Sequence, residues 1–279
     1  MKKILFPTDF SANAQNAYTY ALHLAEKLQA NITTLHAYLP LTVPVSTLEH
    51  TAMDLTEMHD IQEMEEWNDY KRAAKTMHEK AVKEHLEGVE VNHLMYEGTA
   101  VDTVLEKAML ENADMIVMGT KGASGLIGTL LGSNTASVIE QANVPVLAVP
   151  KNAQYRPIRK MAIATDFDEL QEDAIAKALE LAKLFNAELH CIHVNVAHNP
   201  FLGERISKLC SHFADAPKLT FEVLEGLDIL KTVDEYIEEN DVDILVMQTH
   251  KRTFFQKLFG VSYTKKMAFH TRIPLLSFK

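Results

Sequence analysis

The glycines that follow one apolar segment of the chain are spaced to hold an anion. Five of the ten glycines lie within residues 119–133, and the motif is Gly119, Gly122, Gly132 and Ser133, with two and nine residues between the glycines. Glycine permits positive φ and close approach of the backbone to a phosphate. A helix-like stretch begins at Asn134, so the N–H groups of its first turn would face the loop. The pattern predicts a main-chain site for a polyphosphate.

Two better-known phosphate motifs do not fit this loop. A Walker loop ends in Gly-Lys followed by Ser or Thr, whereas Lys121 precedes a glycine and Gly132-Ser133 lacks the lysine. The dinucleotide fingerprint lies after the first strand and reads G-x-G-x-x-G, whereas this loop follows the predicted fourth strand. A flexible turn without a ligand is the simpler alternative, and the concentration of glycines argues against it.

Two parts of the chain repeat each other. Residues 4–10 match residues 161–167 without gaps, 157 positions apart from Asp9 to Asp166, and a later block matches 129 positions apart from Pro145 to Pro274. The first copy therefore carries 28 extra residues between the blocks. A repeat this long indicates two domains, residues 1–150 and 157–279, joined by the polar, proline-containing segment 151–157.

Short apolar runs alternate with amphipathic stretches in both copies. The first copy predicts strands near 3–8, 31–38, 89–96, 114–119 and 145–149, and helices near 12–29, 56–87, 100–112 and 133–142. The second predicts strands near 160–165, 187–195, 218–224, 242–248 and 273–278. Such alternation is typical of α/β folds with parallel sheets, which bind ligands beyond the carboxyl ends of their strands. Asp9, Ala37 and Gly119 all fall at such ends.

Composition narrows the classes of partner. The net charge is −11, and no basic cluster is interleaved with aromatic residues, so binding to nucleic acid is not expected. The chain has no apolar run of membrane-spanning length, and its start leads directly into a strand, so neither a membrane span nor a signal peptide is expected. Cys191 and Cys210 form no CxxC motif. These features favour location of the protein in a reducing cytoplasm.

The residues that could support metal binding or catalysis form no convincing site. The chain has thirteen histidines, but no Cys/His spacing matches a zinc site, so no metal ligand is predicted. His36 and His193 hold equivalent repeat positions, which favours a structural role. No Ser-His-Asp arrangement can be assembled. The glycine loop offers mostly backbone dipoles, whereas phosphoryl transfer needs concentrated positive charge, so binding is favoured over rapid turnover and no catalytic residue is assigned.

Four segments together resemble the universal stress protein family. They are residues 7–11 (Pro-Thr-Asp-Phe-Ser), residues 35–37 (Leu-His-Ala), residues 98–100 (Gly-Thr-Ala) and the glycine motif. The glycine motif is specific for the ATP-binding branch, and the repeat resembles tandem members. The resemblance implies two doubly wound domains, each a five-stranded parallel sheet of order 3-2-1-4-5 with helices on both faces, of the adenine nucleotide alpha hydrolase-like type. It also implies pairing of the last strands, 145–149 with 273–278, as an internal pseudo-dimer, with association into a homodimer as a further expectation.

The resemblance assigns an adenine nucleotide site in the first domain. Asp9 corresponds to the family acid near adenine and ribose, Thr8 lies beside it, and the backbone of Ala37 would meet the adenine. The phosphate positions are Gly119, Gly122, Gly132, Ser133 and, at the helix start, Asn134. ATP is the implied cofactor, and Mg2+ would be held through phosphate oxygens and water. Asp9 has an alternative role as a turn or cap residue, because Asp166 recurs in the second copy.

The second copy has lost the glycine motif. Gly119 corresponds to Gln248, Gly122 to Lys251 and Gly132 to Val261, and only Ser133 is retained, as Ser262. Four apolar side chains would fill the space of a polyphosphate: Phe254, Phe255, Leu258 and Phe259. The second domain is therefore expected not to bind ATP in the same way. Its basic residues would hold another anion or form a solvated surface: Lys251, Arg252, Lys257, Lys265 and Lys266.

The extra residues of the first copy include a long amphipathic helix. Its apolar stripe comprises Met58, Ile61, Met64, Trp67, Ala74, Met77 and Ala81. Methionine-rich stripes are usually adaptable core, and a partner surface is the alternative.

The leading hypothesis is an ATP-binding stress-response or regulatory protein with little intrinsic hydrolysis, using the first domain only. A slow ATPase or nucleotidyl transferase on the same fold is the enzymatic alternative. A nucleotide-independent interaction scaffold is the third.

Overall fold

The computed structural model describes residues 2–40, 55–120, 132–165, 167, 172–196, 202–248 and 272–279. Its helices are α1 (Ala12–Leu28), α2 (Leu55–Lys83), α3 (Ala100–Leu110), α4 (Ser133–Gln141), α5 (Glu172–Phe185), α6 (Leu202–His212) and α7 (Ile229–Glu239). Its strands are β1 (Lys3–Pro7), β2 (Asn31–Tyr38), β3 (Val91–Glu97), β4 (Met115–Gly119), β5 (Val146–Val149), β6 (Lys160–Ala164), β7 (Glu188–Val194), β8 (Leu219–Leu224), β9 (Ile244–Gln248) and β10 (Leu275–Phe278).

One continuous sheet runs through both copies of the repeat. Its strand order is β3-β2-β1-β4-β5-β10-β9-β6-β7-β8, so each half has the predicted order 3-2-1-4-5. Neighbouring strands are parallel except β5 and β10, which pair antiparallel with Leu147 opposite Leu276. The α/β fold and the pairing of the two last strands are confirmed.

Helices cover both faces of this sheet. One buried cluster takes side chains from α1, α2, α5 and α6, and the other takes them from α3, α4 and α7. Both clusters include residues of both halves, so the hydrophobic core is continuous across the β5–β10 seam. The central strands are buried on both sides, as continuous apolar runs predict. Ile116 and Val117 of β4, for example, are fully buried.

Two predicted helices extend past the points where a residue with left-handed backbone conformation ends them. The predicted end of α2 at residue 87 is wrong, because His85 has φ 57° and Leu86 donates its N–H back to the Ala81 carbonyl at 2.8 Å. The end of α3 is also earlier than predicted, and Asn112 follows it with φ 50°. Residues in this conformation stop a helix and satisfy its last carbonyls.

The apolar stripe of α2 is core only toward its C-terminal end. Met77 and Ala81 are 3% and 4% exposed, whereas Met64 is 60% exposed and Trp67 is 43% exposed. The prediction of a core stripe is therefore wrong for the first half of the helix. That half lies near the ends of β2 and β3, where Glu66 contacts His36 of β2 and Met64 and Trp67 line a groove with Met95 and Tyr96 of β3.

The segment between the halves is attached to both of them. Asn16 of α1 donates from Nδ2 to the carbonyls of Pro150 and Ala153, at 3.0 and 2.8 Å. The ring of Tyr155 stacks on His23, with centroids 3.7 Å apart. On the other side, Arg156 forms an ion pair with Asp243 and donates to the Val242 carbonyl at 2.9 Å. The segment is therefore fixed in place, although it contains neither helix nor strand, as predicted.

Equivalent aspartates hold the start of the first strand in each half. Asp114 Oδ2 accepts the N–H groups of Lys2 and Lys3 at 2.6 and 3.0 Å. In the second half, Asp243 Oδ2 accepts those of Arg159 and Lys160 at 2.7 and 2.9 Å. Such bonds favour the ionised carboxylate, and the bond from Lys2 is the largest cause that lowers the pKa of Asp114.

Replacement of Asp114 by asparagine tests this arrangement through pH. Because the folded-state pKa is lowered, the carboxylate stabilises the fold above its unfolded-state pKa, and this contribution disappears as pH falls through the folded-state value. Asp114→Asn should lower Tm at pH 7 by about 2–4 °C. The difference should shrink in acid, as thermal unfolding from pH 7 to pH 2 would show. Asp215→Asn, at an exposed position, is the control. An equal decrease of Tm in both variants that does not depend on pH would contradict the prediction.

Candidate functional site

Three neighbouring strands end at one edge of the first half. The parallel pairing of β2, β1 and β4 brings Thr8, Ala37 and Gly119 to the same edge. The chain leaves β1 toward β2 on one side, and β4 lies on the other side. This is the point at which the strand order reverses, where open α/β sheets bind their ligands.

The loop after β1 is built by local hydrogen bonds. Thr8 donates its N–H to the Leu35 carbonyl at 2.9 Å, and its hydroxyl accepts the N–H of Phe10 at 3.1 Å. Asp9 Oδ1 accepts the N–H of Ser11 at 3.1 Å. Phe10 adopts φ 61°, and Ser11 caps α1 through Ala14. Ser11 is thus the cap that its position predicts.

The two predicted site residues of this loop, Thr8 and Asp9, differ in burial. Thr8 is 7% exposed, and its hydroxyl takes part in the turn, so it shapes the loop. Asp9 is exposed at the turn. Its bond to Ser11 gives it the turn role that was the alternative interpretation, and this role is compatible with a ligand on the solvent side.

His36 supports the same loop from below. Its Nδ1 donates to the Thr8 carbonyl at 2.9 Å, and Glu66 Oε2 of α2 lies 3.1 Å from Nε2. The Phe10 ring stacks on the imidazole, with centroids 4.4 Å apart. Because a carbonyl can only accept, Nδ1 carries a proton. The loop that bears Asp9 is thereby joined to the long helix of the first half.

Gly119 is needed for packing as well as for its place at the edge. A Cβ on Gly119 would lie 2.7 Å from Asn13 Nδ2 and 3.0 Å from Asn13 Cγ. These distances are shorter than van der Waals contact, so a side chain here would force the buried Asn13 side chain to move. Sequence reasoning treated this glycine as a phosphate residue and missed the contact with Asn13.

The end of β4 and the start of α4 are bonded together. Gly132 donates its N–H to the Thr120 carbonyl at 2.5 Å, and the Thr135 hydroxyl donates to the Gly119 carbonyl at 2.9 Å. Thr120 in turn donates to the Val149 carbonyl at 3.0 Å. The residues on either side of the glycine loop are therefore hydrogen-bonded to each other. Lys121 and Gly122 lie outside the described residues.

The start of α4 is suited to an anion. Gly132 is its N-cap, with φ −66° and ψ 156°, and makes no side-chain capping bond. The first turn holds no acidic residue, and Ser133 and Asn134 are exposed. The N–H groups of such a turn carry the positive end of the helix dipole. The structure thus brings six predicted positions to one edge: Thr8, Asp9, Ala37, Gly119, Gly132 and Ser133, with Asn134 following in α4.

The second half repeats the β1 loop but not the glycine. His193 Nδ1 donates to the Thr165 carbonyl at 2.9 Å, and Phe167, with φ 52°, donates its N–H to the Thr165 hydroxyl at 3.0 Å. The structural role predicted for His36 and His193 is thus confirmed. Gln248 stands at the end of β9 where β4 has glycine. The remaining changes predicted for this loop fall within residues 249–271, outside the described residues.

The described residues were also compared with what a metal site, a membrane span or a reactive cysteine requires. They hold no group of three or more histidine, cysteine, aspartate or glutamate side chains arranged for a metal. None of their helices is both long and apolar enough to cross a membrane. Cys191 is buried in β7, as predicted, and burial raises the pKa of its thiol.

Comparison with known proteins decides the family. The model of the universal stress protein family matches residues 1–150. The chain belongs to the universal stress protein family. Universal stress protein Slr1230 of Synechocystis is 25% identical over 299 residues that cover 100% of both chains. Universal stress protein MJ0531 of Methanocaldococcus jannaschii is 32% identical over 150 residues, which are 54% of this chain and 82% of that protein.

A solved universal stress protein shows the same architecture. The crystal structure from Archaeoglobus fulgidus has a TM-score of 0.69 and 22% identity, and the match covers 99% of this chain and 96% of that chain. At this identity, the likeness concerns the fold. It extends over both halves and therefore concerns the fold of nearly the whole chain.

Proposed function

We propose that this universal stress protein binds ATP, or a related adenine nucleotide, at the edge formed by β1, β2 and β4, and acts as a regulatory protein with little hydrolysis. The observation that carries the proposal is the start of α4. It is capped by Gly132 without a side chain, and it is bonded to the end of β4 beside the three strand ends. We propose that residues 1–150 form a first domain that contains this site. Residues 157–279 would form a second domain whose corresponding loop is degenerate, and the protein would be cytoplasmic.

The phosphates would lie against the backbone of α4 and the glycine loop. Gly119, Gly122, Gly132 and Ser133 are the proposed contacts, and Asn134 follows in the same exposed turn. Because the Gly132 N–H donates to the Thr120 carbonyl, Gly132 would contribute close approach of the backbone, and the N–H groups that follow it would bond the phosphates. Oriented N–H groups hold phosphate oxygens without a basic pocket. The lack of an acidic side chain in this turn removes the repulsion that a triphosphate would otherwise meet.

The nucleoside would lie over the ends of β1 and β2. The Asp9 carboxylate would accept hydrogen bonds from the ribose hydroxyls, and the backbone of Ala37 would meet the adenine edge. Thr8 holds the turn that presents Asp9. Polar groups that bond a ligand give specificity because an analogue without the matching group leaves them unpaired.

The charge at this edge favours binding over turnover. The described residues of the loops, 8–11, 37–38, 119–120 and 132–135, include no lysine or arginine. Phosphoryl transfer depends on positive charge that stabilises the transition state. A slow ATPase stays the second candidate, because Lys121 adjoins this edge in sequence.

Titration with nucleotides tests the proposal. Isothermal calorimetry of the full chain with ATP, ADP, AMP, cyclic AMP and GTP should give one ATP per chain and weaker binding of AMP and GTP. Native mass spectrometry of freshly purified protein should show the same single nucleotide. Two ATP molecules per chain would contradict the loss of the second site. Steady release of ADP or AMP would favour the enzyme, and no binding of any nucleotide would favour the scaffold.

A further inference from the structure

We propose that a groove between α2 and the outer edge of β3 binds an extended peptide that carries apolar and basic side chains. The edge groove, as we call it, has a volume of about 720 Å³, and its lining includes Asp60, Glu63, Met64, Trp67, Met95 and Tyr96. It lies outside the nucleotide site, and the proposal does not depend on that site.

The apolar side chains of the edge groove are exposed. Met64, Trp67 and Tyr96 are 60%, 43% and 38% exposed. Met64 and Trp67 continue the α2 stripe whose other end, at Met77 and Ala81, is buried in the core, and Tyr96 lies beside them on β3. Contiguous exposed apolar surface on a helix is typical of a binding surface, and aromatic residues are the usual anchors of such surfaces.

The groove follows an unpaired strand edge. β3 is the outermost strand of the first half and pairs with β2. No other strand of the described residues lies on its outer side. Met95 and Tyr96 are consecutive and therefore point to opposite faces of the sheet, yet both line the groove. The groove thus passes along the strand edge itself, where N–H and C=O groups are available to an added strand.

Acidic groups give the groove its charge. Asp60 and Glu63 line it. The pKa of Tyr38 is raised first by burial and then by the carboxylates of Glu63, Glu97 and Glu66. Negative charge is therefore concentrated at this end of the sheet. A basic partner would relieve this concentration of negative charge.

The nearby cationic groups do not cancel it. His59 is engaged with Glu97 at 3.1 Å. Desolvation lowers the pKa of His93, so its imidazole is neutral at pH 7. The ammonium of Lys107 lies 3.4 Å from the centroid of the Tyr96 ring, and its charge is offset by Glu106, whose Oε1 lies 3.8 Å from Nζ. A second copy of this chain, with its net charge of −11, is a poorer occupant than a basic peptide.

Selection from a random nonapeptide library tests the proposal. The full-length chain is used as bait, and enriched peptides are synthesised with a fluorescent label for anisotropy titration. The expected peptides alternate apolar with lysine or arginine residues. Trp67→Ala and Asp60→Lys should each weaken binding at least ~10-fold, since central aromatic anchors and charge pairs dominate such interfaces. Met109→Ala, at a 70% exposed apolar position on α3, should change affinity less than ~2-fold.

Hydrogen exchange supplies a second measurement that does not depend on a variant. Bound peptide should slow amide exchange in residues 91–97, as expected for an added strand. The proposal is overturned by a library without enrichment, by enriched acidic peptides, or by binding that Trp67→Ala and Asp60→Lys leave unchanged. It is equally overturned if sedimentation shows a dimer that Trp67→Ala dissociates, because the groove would then be an interface between copies.

Discussion

Gly132→Val should reduce the affinity for ATP by at least ~100-fold, or ~2.7 kcal/mol. The Cβ and methyl groups of valine would stand where the N-cap of α4 approaches the phosphates, and backbone hydrogen bonds cannot form across them. The native φ of −66° and ψ of 156° are accessible to valine, so the fold should be kept. Calorimetry with ATP and the circular dichroism spectrum would measure both quantities. The double variant with Gly122→Val should have no measurable affinity.

Gly88→Val is the matched control for this substitution. A Cβ at Gly88 would meet no atom within 4 Å, so added bulk there should leave nucleotide affinity unchanged. If Gly132→Val bound ATP as tightly as the native chain, the assignment of the phosphates to the start of α4 would be wrong.

His36→Ala should weaken both the fold and the binding of ATP. The substitution removes the hydrogen bond to the Thr8 carbonyl, the stacking with Phe10 and the contact with Glu66. Loss of a largely buried polar ring should cost about 2 kcal/mol of the free energy of unfolding. The Asp9 turn would also lose its support, and Kd for ATP should rise ~10-fold. Urea unfolding and calorimetry measure the two effects separately.

The second half contains the control for this prediction. His193→Ala removes the equivalent bond to the Thr165 carbonyl and should cause a similar loss of stability. Its effect on ATP affinity should be less than ~2-fold, because the proposed site lies in the first half. Equal effects of the two variants on affinity would show that the change acts through general stability rather than through the turn that bears Asp9.

Patterns along the chain predicted the elements of the first half well. The strand at 31–38 agrees with β2 at both ends, and the other first-half strands agree within two residues, because buried parallel strands are continuous apolar runs. The match of Pro145 with Pro274 placed both last strands, and the resemblance to tandem universal stress proteins implied their pairing. These features depend on local sequence or on repetition, both of which are visible in one chain.

Contacts between distant segments were less accessible. The need for glycine at position 119 arises from Asn13 on α1, and His36 contacts Glu66 on α2 as well as the Thr8 carbonyl. Met64 and Trp67 are exposed, whereas Met77 and Ala81 of the same stripe are buried. Helical periodicity identifies an apolar stripe, but it does not specify how much of that stripe has a neighbour to cover it.

The antiparallel seam of β5 and β10 has a consequence for assembly. Two separate polypeptides that met along such strands would associate according to their concentration. Here both partners are synthesised together, and the anchored segment from Lys151 to Pro157 keeps them adjacent. Dilution therefore cannot open the seam without unfolding part of the chain, and each half always faces a dissimilar companion, so like-with-like pairs cannot form at this junction.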